Sequence, residues 1–517
     1  MTGNSPYGLF KRIPASWRTT VIPFLIMSLL LLPLFRYHSN PDGAAYLRIA
    51  SYYQHGQFNL AVNSIWSPLI SWLLVPLYAL GLPWMLAFRI LNILIAGLCL
   101  YKLYRIVDDF FPDLGKWSRQ CLLLTFASQL LVLNFNTITP DLLALCLVFI
   151  LLYELLADNF FKYPLRTGLL GGIMFLAKAY CFYFFIAVIG IYSIVRFIRS
   201  QPRKLPVKPL IPIILVFLLV CSSWVWAMHA KYGAWQLSSA PGYNYYVLNY
   251  KGEVHHPYDE KPQLLPLPFP EAFCLWEDPQ AVYHLNGKLS DKNIFLVIWA
   301  NLQRLFGMIS NFYAGVLILI PFAAYIVYRN SKASPGWFGP VYKKTLLYSG
   351  LYMSGYLLIF VEARYIWLIL FTGLLFLFKS MDLVGRWWRS GLTRLMPALV
   401  TAYFLFVAAH FVYSHRFVEK QENFDIRQIV ATLPREAHIA TWNTQDLWSP
   451  GYLYSWHHYG GLASYKSWQA LEPDLRKYRV EYVIIKEQKF IPLIPADILS
   501  HLSLQSTIGG MNVYTIK

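Results

Sequence analysis

The sequence predicts an α-helical polytopic membrane protein with about 11 transmembrane helices, extracytoplasmic loops and a small C-terminal α/β domain. Three observations predict it. The 517 residues are 57% hydrophobic and only 14% charged, where a soluble domain carries about a quarter charged residues. Apolar runs near the roughly 20 residues that a spanning helix needs recur as far as residue 414. The excess of basic residues, a formal net charge of +18, collects in alternate connections between those runs. This composition excludes a disordered chain and an ordinary soluble enzyme. Six cysteines, most of them in or beside apolar runs, are too few for a disulfide scaffold, and no structural disulfide is expected.

The candidate spans are 20–36, 84–103, 120–135, 140–157, 167–180, 181–197, 209–228, 312–328, 345–361, 365–379 and 395–414. Pro23 and Pro33 interrupt the first, and no small-residue cleavage site follows before Arg36 and Tyr37, so it reads as a span and not as a signal peptide. The stretch 167–197 would run roughly 46 Å as one helix, too long for one span and short for two. Basic residues on both flanks require the chain to return to the side it left, so a break is expected near Lys178–Tyr180. The run 65–80 is broken by Ser67-Pro68 and Pro76 and is assigned to the outer interface, lying flat. With that assignment 22 Lys and Arg residues fall in one set of connections, and only Arg36, Arg48, Lys178 and Arg364 in the short connections opposite. Basic loops stay in the cytoplasm, which predicts a cytoplasmic N-terminus. It also accounts for the net charge without a nucleic-acid partner.

Three extracytoplasmic pieces are expected: a first loop, 37–83, with interfacial helices; a large loop, 229–311; and a tail, 416–517, after a membrane domain of residues 1–415. The tail alternates helix (Ile426–Leu433), strand (His438–Trp442), helix (Ser467–Tyr478), strand (Val480–Ile485), helix (Pro495–Leu502) and strand (Met511–Ile516), the pattern of a small α/β layer.

Chemistry concentrates at the outer ends of the spans. In the first loop Asn40 can cap a helix with Pro41 at its first position, and Gly56 can end it. Tyr46, Ile49, Ala50 and Tyr53 share a face at i, i+3, i+4 and i+7, which predicts a surface-lying amphipathic helix with Asp42 in its first turn. The fourth span opens with Thr139-Pro140-Asp141. Lys178 sits at the expected break, and Glu362, Arg364 and Tyr365 lie between the ninth and tenth spans. Asp42 alone would read as a helix-dipole partner and Lys178 alone as a snorkelling side chain. Together they place two carboxylates, a lysine and a Glu-x-Arg-Tyr group at one membrane depth on one side, where ionisable residues are costly and usually functional.

Within these segments PDGAAYLRIA and WSPLISWLLVPLYALG, TPDLLALCLVFILLYELL, GLLGGIMFLAKAYCFYFF and VEARYIWLIL resemble, in family order, the GT-C glycosyltransferases, and most of all their bacterial protein O-mannosyltransferase and aminoarabinose-transferase branch. The resemblance covers roughly residues 20–415, and the tail is similar to the small soluble domain many members carry. It departs in two places: Gly43 follows Asp42 where a second acidic residue is common, and Ile366-Trp367 follows Tyr365 where Pro is frequent. The resemblance implies a polyprenyl-phosphate sugar donor and an inverting transfer outside the cytoplasm to an acceptor hydroxyl or phosphate on a lipid, glycan or protein. It maps the catalytic acid onto Asp42 and the phosphate-binding arginine onto Arg364. Lys178 and Asp141 fall on recurrent motif positions. The single aspartate in the first loop and the absence of a targeting peptide favour a bacterial inner membrane over that of the endoplasmic reticulum.

The chemistry follows from the residue types. Asp42 can take the acceptor's proton as general base, and Arg364 offers a planar fork to the departing phosphate, with Lys178 adding a point charge. Asp141 can position the acceptor, orient a cation or assist Asp42, and Glu362 can hold Arg364 in its rotamer. Tyr365 and Tyr46 are supporting residues. The aromatic content (Trp 18, Tyr 37, Phe 35) fits interfacial anchoring; Trp66 and Trp72 could stack on a sugar but are read as belt residues. Asp108-Asp109 is read as a solvated turn, Gly171-Gly172 as helix packing, and no cofactor or metal is indicated. His255-His256 with Asp259-Glu260 is the nearest approach to a metal cluster. A lipid or sugar transporter, and an O-antigen ligase or polymerase, are the rival readings. The first would show internal repeats or paired broken helices, and the second lacks an early aspartate in its first loop.

Overall fold

The computed structural model describes residues 15–35, 38, 40–199, 206–249, 263–283, 294–312, 339–388, 391–416, 420–442, 456–486 and 488–517. Ten of the eleven apolar runs coincide with helices. The eleventh, 312–328, lies outside the described residues beyond Phe312, as does the cluster of His255, His256, Asp259 and Glu260. In chain order the helices are α1 (Ala15–Phe35), α2 (Pro41–Gln54), α3 (Leu69–Ala79), α4 (Trp84–Phe110), α5 (Lys116–Asn136), α6 (Asp141–Leu156), α7 (Pro164–Ala177), α8 (Tyr180–Arg199) and α9 (Val207–Tyr232). There follow α10 (Ala240–Asn249), α11 (Ile294–Phe312), α12 (Pro340–Ile359), α13 (Trp367–Trp388), α14 (Gly391–His415), α15 (Lys420–Thr432) and α16 (Trp468–Lys477). Among the described residues four segments are long and apolar enough to cross a membrane: α4, α8, α9 and Leu395–His415 of α14.

The break at 178 is present. Lys178 leaves α7 in extended conformation, and α8 starts at Tyr180. Gly168 and Gly172 let α7 lie against α9, because a Cβ there would come within 2.4 Å of the Ile213 carbonyl oxygen and 2.5 Å of Val220 Cβ. A Cβ on Gly171 would likewise come within 2.3 Å of the Phe185 ring of α8, so the Gly171-Gly172 pair is a helix-packing device. Phe126 of α5, Phe149 of α6 and Phe371 of α13 meet edge-to-face at 5.1–6.1 Å at the centre of the helical core. Asp108 and Asp109 do not form a turn. They end α4, where Asp108 pairs with Arg119 at 2.6 Å and Asp109 with Arg105 at 2.8 Å.

Helix α2 begins as its sequence predicts: Asn40 caps it and accepts the Gly43 N–H at 2.7 Å, with Pro41 at the first position. It is not surface-lying. Ala44, Ala45, Leu47 and Tyr52 are buried as completely as Tyr46, Ile49 and Ala50. The cover comes from α3, whose Ser71 hydroxyl donates to the Tyr46 carbonyl at 2.9 Å, and from residues 271–278, where the Glu271 carbonyl and the Glu277 carboxylate accept from the Tyr52 hydroxyl.

The tail folds on a five-stranded mixed sheet of order β2-β1-β3-β5-β4, from β1 (His438–Thr441), β2 (His457–Gly461), β3 (Tyr482–Ile485), β4 (Leu502–Ile508) and β5 (Met511–Ile516). Strands β1, β2 and β3 pair in parallel, and β5 runs antiparallel to both β3 and β4. Expectation missed β2 and β4. Strand β2 reads His-His-Tyr-Gly-Gly, with no apolar alternation. Strand β4 follows directly on a short helix, Ala496–Ser500, and joins β5 through Gly509-Gly510, both at positive φ, the two-residue hairpin link that the positive-φ turns favour. Chain from the large loop completes the outer edge: Leu265 N–H donates to the Tyr459 carbonyl at 2.8 Å, and His458 N–H to the Phe273 carbonyl at 2.7 Å.

Candidate active site

Four elements deliver the ionisable residues to one cavity. The first turn of α2 carries Asp42, the start of α6 carries Asp141, the α7–α8 break carries Lys178, and a short turn between α12 and α13 carries Glu362, Arg364 and Tyr365. Arg364 is the hub. Its Nη1 lies 2.8 Å from Asp42 Oδ2 and 3.9 Å from Asp141 Oδ2, and its Nε lies 2.5 Å from Glu362 Oε2. Burial works against charge on this guanidinium, but the Asp42, Asp141 and Glu362 carboxylates hold its pKa above the usual arginine range. Lys178 pairs with Asp141 Oδ1, and Thr139 donates its hydroxyl to Asp141 Oδ2 at 2.5 Å. The Lys178 ammonium also stands 3.9 Å over the Tyr365 ring.

Asp42 and Arg364 each keep 24% of the side chain exposed, whereas Asp141 keeps 5%. The first pair therefore faces the cavity and Asp141 backs it. Tyr46 lies beneath, its phenol pushed well up by burial and by the Asp141 and Asp42 carboxylates, so it remains protonated. The cavity encloses about 250 Å³. One wall is a ladder of stacked rings, Tyr180 on Tyr356 at 3.8 Å and Tyr356 on Tyr365 at 4.4 Å. Trp66, Tyr243 and Trp276 also line the cavity.

The structure brings together all seven residues expected at the site. Sequence reasoning missed Trp276, Tyr356, Tyr180 and Thr139. Trp66 is no belt residue: it is buried, lines the cavity and donates its indole N–H to the Trp276 carbonyl at 3.0 Å. Trp72, 37% exposed, stays outside and packs edge-on against Trp224 at 5.9 Å. Gly43 has a physical reason to depart from the acidic pattern. A Cβ at that position would sit 2.0 Å from Ile138 Cγ1 and 2.6 Å from the Ile138 carbonyl oxygen, on the segment that leads into Asp141. Among the described residues no group of three His, Cys, Asp or Glu side chains could hold a metal ion.

Comparison with known proteins finds similar folds among solved structures and a family profile that covers part of the chain. The sequence profile of the family described as dolichyl-phosphate-mannose-protein mannosyltransferase matches residues 66–226. The crystal structure of ArnT from Cupriavidus metallidurans bound to undecaprenyl phosphate superposes with a TM-score of 0.53 at 14% identity, covering 96% of this chain and 97% of that one. The archaeal oligosaccharyltransferase AglB from Archaeoglobus fulgidus, in complex with an inhibitory peptide and a dolichol-phosphate, gives a TM-score of 0.53 at 10% identity over 90% of this chain and 69% of that one. No curated protein sequence matches. The chain has a GT-C fold and resembles the ArnT and protein O-mannosyltransferase branch.

Proposed function

We infer that the protein is an inverting glycosyltransferase of a bacterial inner membrane. It moves a monosaccharide from a polyprenyl-phosphate donor to an acceptor hydroxyl or phosphate on the extracytoplasmic face. The observation that carries this reading is the Asp42–Arg364 pair at the cavity face, backed by Asp141 and Lys178. The ArnT relative was crystallised with undecaprenyl phosphate, which supports a lipid phosphate as the ligand of the two cations.

The transfer is a single displacement. The acceptor oxygen attacks the anomeric carbon and forms the new C–O bond. The bond from that carbon to the phosphate oxygen breaks on the opposite face, and the acceptor's proton passes to Asp42. The polyprenyl phosphate leaves with one more negative charge than it carried as a diester. Arg364 and Lys178 stabilise that charge where it develops. Phosphate arriving at Arg364 competes with Asp42 for Nη1, so donor binding frees the base that the reaction needs. Asp141, bonded to Lys178 and Thr139, orients the lysine. Glu362 holds Arg364 through Nε, leaving the outer edge of the fork for phosphate.

The test is native mass spectrometry of the purified full chain, then transfer from isotope-labelled lipid-linked sugars extracted from a bacterial membrane. We expect a polyprenyl phosphate to co-purify with the protein and to be lost in Arg364→Gln, and label to leave the lipid only when Asp42 is intact. Failure to bind undecaprenyl phosphate, or full transfer by a folded Asp42→Asn protein, overturns the reading.

A further inference from the structure

The Asp42 carboxylate has a second partner, from a part of the chain far away in sequence. Trp276 Nε1 lies 3.3 Å from Asp42 Oδ1, while Arg364 occupies Oδ2. Each oxygen of the carboxylate therefore has a donor from a different segment, and its rotamer is fixed from both sides. The segment that carries Trp276 is anchored in turn. The Glu277 side chain is buried, accepts the Phe273 N–H at 2.8 Å, and accepts the Tyr52 hydroxyl of α2. Asn63 donates to the Glu277 carbonyl at 2.6 Å. The next residue, Asp278, pairs with Lys231 at the end of α9 at 2.8 Å.

The other flank of this segment belongs to the tail. Besides the bond from His458 N–H to the Phe273 carbonyl, the His457 ring bonds through Nδ1 to the Ala272 carbonyl at 2.8 Å. Cys274 and His458 bridge in parallel register, and Leu264 and Gly460 in antiparallel. Residues 264–274 thus line the free edge of β2, and two residues beyond this edge the chain presents an indole N–H to Asp42. On this geometry we propose that Trp276 is a positioning residue for the Asp42 carboxylate, and that the C-terminal sheet domain holds it there. This rests on Asp42 being the base. It gives the tail a task in the reaction that requires no contact with donor or acceptor.

The test uses Trp276→Phe, which keeps the ring against Trp66 and Tyr243 but has no N–H, and His457→Phe, which removes the imidazole bond to Ala272. Three readouts are taken on the full chain in nanodiscs: undecaprenyl phosphate affinity, the steady-state kcat and KM for labelled donor, and the rate at which a hydrophobic carbodiimide modifies Asp42, followed by peptide mass spectrometry. For Trp276→Phe we expect unchanged undecaprenyl phosphate affinity, kcat down about tenfold or more, as loss of one hydrogen bond to a charged group implies, and severalfold faster labelling of Asp42. For His457→Phe we expect the same pattern, weaker. Unchanged labelling and unchanged kcat in Trp276→Phe overturn the positioning role. Normal behaviour of His457→Phe, with Trp276→Phe impaired, overturns the part assigned to the sheet domain. Full turnover in Asp42→Asn fails the underlying reading instead, and the carbodiimide arm still reports on the Trp276 contact when no turnover is found.

Discussion

Arg364 touches three carboxylates with one planar group, and this sets what its replacement does. Lysine keeps the charge but cannot bond Asp42 with one nitrogen while a second stands in an ion pair with Glu362. Arg364→Lys should lower undecaprenyl phosphate affinity at least tenfold in a binding titration, and Glu362→Gln should lower it less, since the guanidinium remains. In the proposed mechanism Asp42 is the base, and removing it is a different loss. Asp42→Asn should reduce kcat by about 10²–10⁴ while the lipid phosphate still binds, measured by single-turnover transfer. At this scale the sequence was informative where a residue's type clashed with its setting. Asp42, Asp141, Lys178, Glu362 and Arg364 are ionisable groups at the ends of apolar runs, and that anomaly is visible without coordinates. Trp276 is not anomalous in an aromatic-rich chain, and its bond to Asp42 spans 234 residues, so no local pattern announces it. Trp66 was misassigned for the same reason, because tryptophans at an interface and tryptophans in a cavity look alike in one dimension.

Helix α2 shows how local signals fix an element and leave its surroundings open. Its cap, its proline and its end are all local, and they are where the sequence puts them. Its burial depends on α3 and on residues 271–278, which no period in α2 encodes; Ala44, Ala45 and Leu47 lie under this cover. The tight approach of α2 to residue 138 yields a prediction. Gly43→Ala should destabilise the folded chain by about 1–3 kcal/mol, the usual cost of overpacking, read as a lowered midpoint of thermal unfolding in detergent. Ile138→Ala in the same chain should recover only part of it, because the added methyl also meets the Ile138 carbonyl oxygen, which stays. In the tail, β1, β3 and β5 were legible from β-branched and apolar residues. Strand β2 was not, because its residues are selected for contacts on both edges and not for one apolar face.

Across the whole molecule, the tail sheet meets residues 264–274 beside two buried histidine rings, His457 bonded to the Ala272 carbonyl and His458 to Thr441, and their burial makes this part of the chain sensitive to acid. Burial lowers the His458 pKa to about 4, with its ring 3.0 Å from the Thr441 hydroxyl, and burial lowers His457 as well. In the unfolded chain both titrate near 6.5. Between pH 6.5 and 4 the unfolded state therefore binds more protons, and stability falls as the pH is lowered through that window. The His458 contribution is roughly 3 kcal/mol when complete. Chemical unfolding of the full chain, followed by tryptophan fluorescence at pH 7.5 and 4.5, should show the loss. His458→Gln should flatten it, and an equally steep dependence in that variant would exclude His458 as its source. None of this was legible beforehand, since the paired histidines of the tail offered no partner in their own neighbourhood.

The extra strand along β2 also changes what counts as a module in this chain. Residues 264–274 are separated from β2 by all of α11 to α15, yet they finish its sheet, and Trp276 just beyond them reaches the membrane-end site. A tail transplanted from a relative with a cut near residue 416 would arrive with a foreign edge and would dock against a segment it was not selected with. A functional exchange between relatives needs two cuts, moving the 264–278 stretch together with the tail, and recombination during descent would have faced the same bipartite unit.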